Sequence, residues 1–248
     1  MDELTLDRDY RQGNSGVRVK IIKEWLCIHD INVVIDRDYT AATEEAVRKF
    51  QTRKGLNPTG IVNKQTYGRL LLPMREAMVP IPAGYRSLGT LTVAWARQHL
   101  RSWPHEVGGN NRGPWVRLYM KGSEGEDWAW CAGFACFMVG KAREAIPPTE
   151  PLFDFDFYCP RLGSNAKRVG RFIAGTGRAK PEKLGPGCLF LSRRSSGSWF
   201  HTGIVISADA SSFRTIEGNS SDDSDQDQRG YEVCSKIRDY GSYDFIRV

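Results

Sequence analysis

Apolar residues recur at helical spacing near the start of the chain: Val17, Val19, Ile21, Ile22, Trp25 and Leu26 share one face of an expected helix. Thr43 is placed to cap a second helix, Thr43-Glu44-Glu45-Ala46-Val47-Arg48-Lys49-Phe50-Gln51, whose glutamates suit the positive end of the helix dipole. Thr66 to Leu72 supplies a third, after the turn formers Gly55-Leu56-Asn57-Pro58-Thr59-Gly60. Residues 1–72 therefore read as a small three-helix domain. Pro73, Pro80, Pro82 and Gly84 interrupt any periodicity over residues 73–87, which read as a stiff linker. The helical pattern resumes at Leu88 to Leu100, briefly at Trp115 to Met120, and again from Cys131 to about Glu144. Beyond Pro147 it changes to short strands and turns, at 187–191, 201–207, 212–217 and 243–248. Helices followed by a run of strands imply an α+β fold, residues 88–248 forming a domain of N-terminal helices packed on an antiparallel β-sheet.

Composition narrows the function classes. The net charge of +6 is spread along the chain rather than gathered into a basic stripe with interleaved aromatics, which argues against nucleic acid as a partner. The longest apolar run, Ala129 to Gly140, is too short to span a bilayer, so no membrane insertion is expected. The acidic start, Met1-Asp2-Glu3-Leu4-Thr5-Leu6-Asp7, lacks the basic and apolar regions of a secretory signal, and synthesis in the cytoplasm is the expectation. Six cysteines show no Cys-x-x-Cys spacing: Cys27, Cys136 and Cys188 read as packing residues, and Cys159 and Cys234 as either core or a surface pair. Four scattered histidines offer no zinc spacing, and Asp223, Asp225 and Asp227 begin a calcium-loop pattern that Gln228 breaks, so a solvated acidic loop is expected and neither metal nor cofactor.

The segment Glu126-Asp127-Trp128-Ala129-Trp130-Cys131-Ala132-Gly133-Phe134 places one cysteine where a polar, aromatic loop becomes an apolar helix. Unpaired N–H groups and the helix dipole at such a position favour the reactive thiolate. His201 opens the apolar run Thr202-Gly203-Ile204-Val205-Ile206, and Glu217 and Asn219 follow after a hairpin. Cys131 as nucleophile, His201 as general acid and base, and Glu217 or Asn219 accepting the other imidazole N–H complete the set that a cysteine hydrolase needs. Trp128 and Trp130 are candidates to line a substrate groove or to pack.

Two resemblances add to this reading. Gly16, Val19, Trp25-Leu26, Asp36, Thr43, Ala46, Val47, Phe50, Gln51, Gly55, Leu56, Gly60, Thr66 and Leu70 resemble the peptidoglycan-binding domain found at one end of many cell-wall hydrolases. Its usual leucine-glutamine pair is weakened around Lys23 to Leu26, and its glycine-containing turn is replaced by Asp36-Arg37-Asp38-Tyr39. From Leu88 to Val248, Asn110-Asn111-Arg112-Gly113-Pro114, Trp130-Cys131-Ala132-Gly133-Phe134, His201-Thr202-Gly203-Ile204-Val205 and Glu217-Gly218-Asn219 resemble the CHAP domain, a papain-like branch close to the NlpC/P60 enzymes. Phe200 stands where such enzymes usually have glycine before the histidine. The resemblance implies a papain-like fold and a Cys131, His201 and Glu217 triad, with Asn219 as a further polar contributor and Asn111, Trp128 and Trp130 toward substrate. It implies a peptidoglycan amidase or endopeptidase that acts on the cell wall or in the periplasm. Delivery would follow the opening of a membrane by a phage holin, or injection by a type VI secretion machine, in which case an immunity protein would be a partner. The competing expectation is a catalytically inactive wall-binding or phage structural module, with a cytosolic deubiquitinase-like peptidase behind it.

Overall fold

The computed structural model describes every residue apart from 1–2, 83, 86, 176–182, 196 and 223–229. Asp223, Asp225 and Asp227 lie outside the described residues. The N-terminal unit holds α1 (Val17–Ile28), α2 (Ala41–Arg53) and α3 (Lys64–Leu70), joined by turns in which Gly55 and Gly60 adopt positive φ. The second helix starts earlier than its sequence pattern suggests. Thr40 is the N-cap and Thr43 the third helical residue, each side chain bonding the other's backbone N–H. Asn63 caps α3 through the Thr66 N–H.

Residues 73–87 are not all linker. Pro73 falls early in α4 (Leu72–Ala77), where its missing N–H costs nothing, and α4 packs against α5 (Leu88–Arg101). Gln98 of α5 donates to the carbonyls of Ala77 and Val79 at 2.9 and 2.7 Å, fixing the chain that follows. After α6 (Pro114–Tyr119) and α7 (Cys131–Ala145) comes α8 (Cys159–Arg168), in a region where the sequence suggests only strands and turns.

Among the described residues six strands, β1 (Phe172–Ile173), β2 (Leu189–Ser195), β3 (Ser198–Ala208), β4 (Ser212–Ser220), β5 (Glu232–Asp239) and β6 (Tyr243–Ile246), form one antiparallel sheet in the order β1-β6-β2-β3-β4-β5. The class is α+β. Helices α5, α7 and α8 pack on β3, with α5 and α7 reaching β4, and a small aromatic cluster of Phe190, Phe213 and Phe245 with Val205 lies apart from the main core. That main core is continuous: it runs from Tyr10, Trp25 and Phe50 through Trp115 and Trp130 to Ile216 and Val233. Among the described residues no helix is long and apolar enough to cross a membrane.

Candidate active site

The helix α7 begins at Cys131 with Trp130 as its N-cap, and no side chain caps it, unlike α2, α3 and α5. Its first N–H groups are therefore not taken by a cap, and the Cys131 sulfur sits in their field. The fit behind it is tight. A Cβ on Gly133 would stand 2.8 Å from the Tyr119 carbonyl and 2.3 Å from the Met120 sulfur, so only glycine lets the start of α7 approach the end of α6 this closely.

His201 arrives on β3 to line one cavity with Cys131, while its Nε2 lies 2.8 Å from Glu217 Oε2 on β4. Gly203 makes that contact possible. A Cβ there would come within 2.8 Å of Glu217 Cγ and 2.7 Å of the Phe190 ring, closing the space the glutamate occupies. The Glu217 side chain is fully buried. Arg238 of β5 grips it with Nε and Nη2, both at 2.6 Å, and the Thr215 hydroxyl donates at 2.5 Å. Burial alone would raise the carboxyl pKa, but the hydrogen bonds from Arg238 and His201 outweigh it and hold the group ionised, well below the usual carboxylate range.

Burial pushes the His201 pKa down, yet its bonds to Cys131 and Glu217 prevail and lift it to about 9. The Cys131 thiol lies well below its ordinary value, chiefly because the Cys159 thiol donates to it; burial opposes this, and His201 and the Thr202 backbone add to it. Both shifts favour the thiolate and imidazolium forms of the pair, with the ionised Glu217 carboxylate behind the imidazole. The pair opens on a cavity of about 750 Å³ whose lining includes Asn111, Ser192, Phe200, Asn219 and Tyr243. Among the described residues, the charged side chains of that lining apart from the Cys131–His201 pair are basic: Arg194, Lys236, Arg238, which Glu217 holds, and Arg193, 3.4 Å from Asp244.

The other expected site residues divide. Asn111 lines the cavity in a left-handed conformation (φ 52°); its N–H donates to Glu106 and its side-chain amide to the Glu126 carbonyl. Trp130 does not line it. Its ring is fully buried, stacks on Tyr119 and donates to Glu106 Oε1 at 2.8 Å, so it packs the core beneath the nucleophile. Trp128 is partly exposed and outside the cavity lining. Between Glu217 and Asn219 the strand alternation fails. A register shift interrupts the β4–β5 ladder and Asn219 takes a positive φ of 52°, so the two side chains do not share a task. Glu217 holds the imidazole; the Asn219 amide, oriented to satisfy both its polar atoms, donates to the Gly230 carbonyl at 2.6 Å and to Glu106 at 3.3 Å.

Three participants escape sequence reasoning. Arg238 depends on a strand pairing that no local pattern encodes, Glu106 sits in an irregular loop, and Cys159 comes from the unanticipated α8 to lie 3.8 Å, sulfur to sulfur, from Cys131. Cys159 and Cys234 are both buried, Cys159 beside the nucleophile, so a surface pair of the two is ruled out. Among the described residues no group of three metal-ligating side chains converges.

Residues 15–70, which span α1, α2 and α3, match the family model of a peptidoglycan binding domain. The chain carries an N-terminal peptidoglycan-binding domain, and with it an association with the cell wall. No curated protein matches the chain.

Proposed function

We propose that the chain is a peptidoglycan hydrolase that cleaves an amide bond in, or at the base of, the stem peptide through a cysteine thioester. The observation that carries this is the thiolate, imidazolium and carboxylate chain from Cys131 through His201 to Glu217, opening on a cavity in a protein whose N-terminal domain is a wall-binding type. Cys131 attacks the carbonyl carbon, and the uncapped N–H groups at the start of α7 receive the negative charge that develops on oxygen. The amide C–N bond breaks as His201 gives its proton to the departing amine. Water, losing a proton to His201, then attacks the thioester; the acid product leaves and the thiolate returns. Glu217, fixed by Arg238, orients the imidazole throughout and is a positioning residue.

Other features support the same reading. The order of motifs around Cys131, His201 and Glu217 is similar to that of CHAP and NlpC/P60 enzymes, which act on this polymer. The basic cavity lining suits stem peptides, which carry free carboxylates. The wall-binding domain would hold the enzyme on an insoluble substrate and raise its concentration near the bond. Such a hydrolase would work as a phage-type lysin, or as a type VI effector neutralised in its producer by an immunity protein that covers the Cys131 cavity.

The test uses purified sacculi. Wild type is expected to release free amino groups and Cys131→Ala none, while both sediment equally with the wall; mass spectrometry of the released muropeptides names the bond. A wild-type protein that sediments with sacculi yet releases nothing would show a wall-binding module without hydrolysis.

A further inference from the structure

Cys159 makes and breaks no bond in the cycle above, where it only donates to the Cys131 sulfur, yet its position is specific. It is the first residue of α8, as Cys131 is the first residue of α7, and the two sulfurs face each other at 3.8 Å with both side chains buried. Only Cys131 of the pair reaches the cavity. Cys136, one turn and a half along α7, faces elsewhere, its sulfur toward the Asp156 carbonyl, and burial raises its pKa to about 12. A disulfide needs its sulfurs at ~2 Å, and these two sulfurs already touch at 3.8 Å with no side chain between them to be displaced. A thiolate that lines a cavity, with a second thiol directly behind it, is the arrangement of a peroxidatic and a resolving cysteine.

We infer that Cys131 and Cys159 form a reversible redox-modification site, in which Cys159 captures the oxidised nucleophile as a disulfide before it is destroyed. The oxidant is hydrogen peroxide. The Cys131 thiolate attacks one peroxide oxygen, the O–O bond breaks, hydroxide leaves, and the sulfur becomes a sulfenic acid. The Cys159 sulfur then attacks the Cys131 sulfur; an S–S bond forms, the S–O bond breaks, and the Cys159 proton leaves with the hydroxyl as water. Two electrons pass from the two sulfurs to one peroxide. A dithiol reductant reverses the bond and restores the thiolate. The device rests on Cys131 being the reactive nucleophile, but its chemistry can be read without any peptidoglycan.

The experiment treats the full chain with hydrogen peroxide, alkylates remaining thiols after denaturation, and maps peptides without reduction. Wild type should lose two alkylatable thiols, gain a cross-link between the Cys131 and Cys159 peptides, and recover its starting rate on sacculi after dithiothreitol. Cys159→Ser, its folding verified by thermal melt, should carry two or three extra oxygens on Cys131 and recover less than roughly a tenth of its own starting rate. A wild type over-oxidised at Cys131 without the cross-link, or a Cys159→Ser that recovers as fully as wild type, overturns the inference. Cross-linking in a wild type that never hydrolyses sacculi keeps the redox pair and removes the hydrolase reading.

Discussion

At Glu217 two cations share one buried carboxylate, and the sharing sets the pH range of the site. His201, raised to about 9, stays protonated through neutrality, as the proposed reaction needs for its leaving amine; Cys131 is held well below its ordinary value, which favours the thiolate. Hydrolysis should therefore fall as pH rises through about 9, when the imidazolium proton is lost, and fall again in acid as the thiolate is protonated. Glu217→Gln removes the charge that favours the imidazolium. Its alkaline limb should move from about 9 toward the ordinary 6.5, and its rate should drop by roughly 10²-fold or more. Rates on soluble muropeptides between pH 5 and 10 check both statements; an alkaline limb that stays in place would remove Glu217 from its positioning role. Cys131, His201 and Glu217 are legible in the sequence because each sits at a marked transition, a loop into a helix, a polar residue into an apolar strand, and the far side of a hairpin. Trp130 and Asn219 are not. Whether a tryptophan beside a nucleophile packs or faces substrate depends on which side α6 covers, and alternation along β4 misleads once Asn219 leaves extended geometry.

Glycines fix how closely the elements of the site approach. Gly218 lies between Glu217 and Asn219 on β4, and a Cβ there would stand 2.6 Å from Phe134 Cβ and 2.8 Å from the Trp130 ring, both at the start of α7. Gly218→Ala must push strand from helix, separating the imidazole side of the site from the sulfur side. Overpacking of this kind costs about 1–3 kcal/mol, which for a chain of this size lowers the melting temperature by roughly 2–12 °C. Activity at a temperature where the variant is fully folded should fall as well. Gly185→Ala, where the added methyl meets nothing within 4 Å, is the control and should change neither. Equal melting curves and rates for Gly218→Ala and wild type would show that the contact yields without consequence. The same physics explains why α8 is hard to see in the sequence. Its buried residues, Cys159, Leu162, Gly163 and Ala166, do fall at helical spacing, but most are small, and Gly163, Ser164 and Asn165 are weak helix formers. The helix exists because Gly163 lets the Trp199 ring lie against it, where a Cβ would be only 2.5 Å away. That is a tertiary contact, and no window of sequence reports it.

Across the whole molecule the wall-binding unit and the sheet-bearing unit meet through charge as well as apolar packing. Trp25 of α1 sets its ring edge-on to Trp115 of α6, with centroids 6.3 Å apart. Around this contact Arg117 bonds Glu3 at 3.0 Å, Glu24 at 2.7 Å and Glu124 at 2.7 Å, while Lys20 bonds Glu24 at 2.6 Å and Glu124 at 2.9 Å. Three carboxylates share two cations, and the Glu24 side chain has no exposure at all. Arg117→Met keeps much of the volume but leaves Glu24 with Lys20 alone. Breaking a buried pair by removing one partner costs about 3–5 kcal/mol, and the slight exposure of this cluster places the expected loss at or below the lower end, about 2–3 kcal/mol. Calorimetry should show wild type melting in one transition and Arg117→Met melting lower, the N-terminal unit separating first. The effect has a defined pH sense. Burial opposes ionisation of Glu124, yet hydrogen bonds from Lys20 and the Gly113 N–H, with Arg117 nearby, hold its carboxyl below the ordinary 4.5. A depressed carboxylate stabilises the fold above its unfolded value and loses that contribution as pH falls through its folded one. The gap in melting temperature between wild type and Arg117→Met should thus be full at neutral pH and close below about 4.5. A gap that persists unchanged into acid would assign the loss to packing around Trp115 rather than to charge.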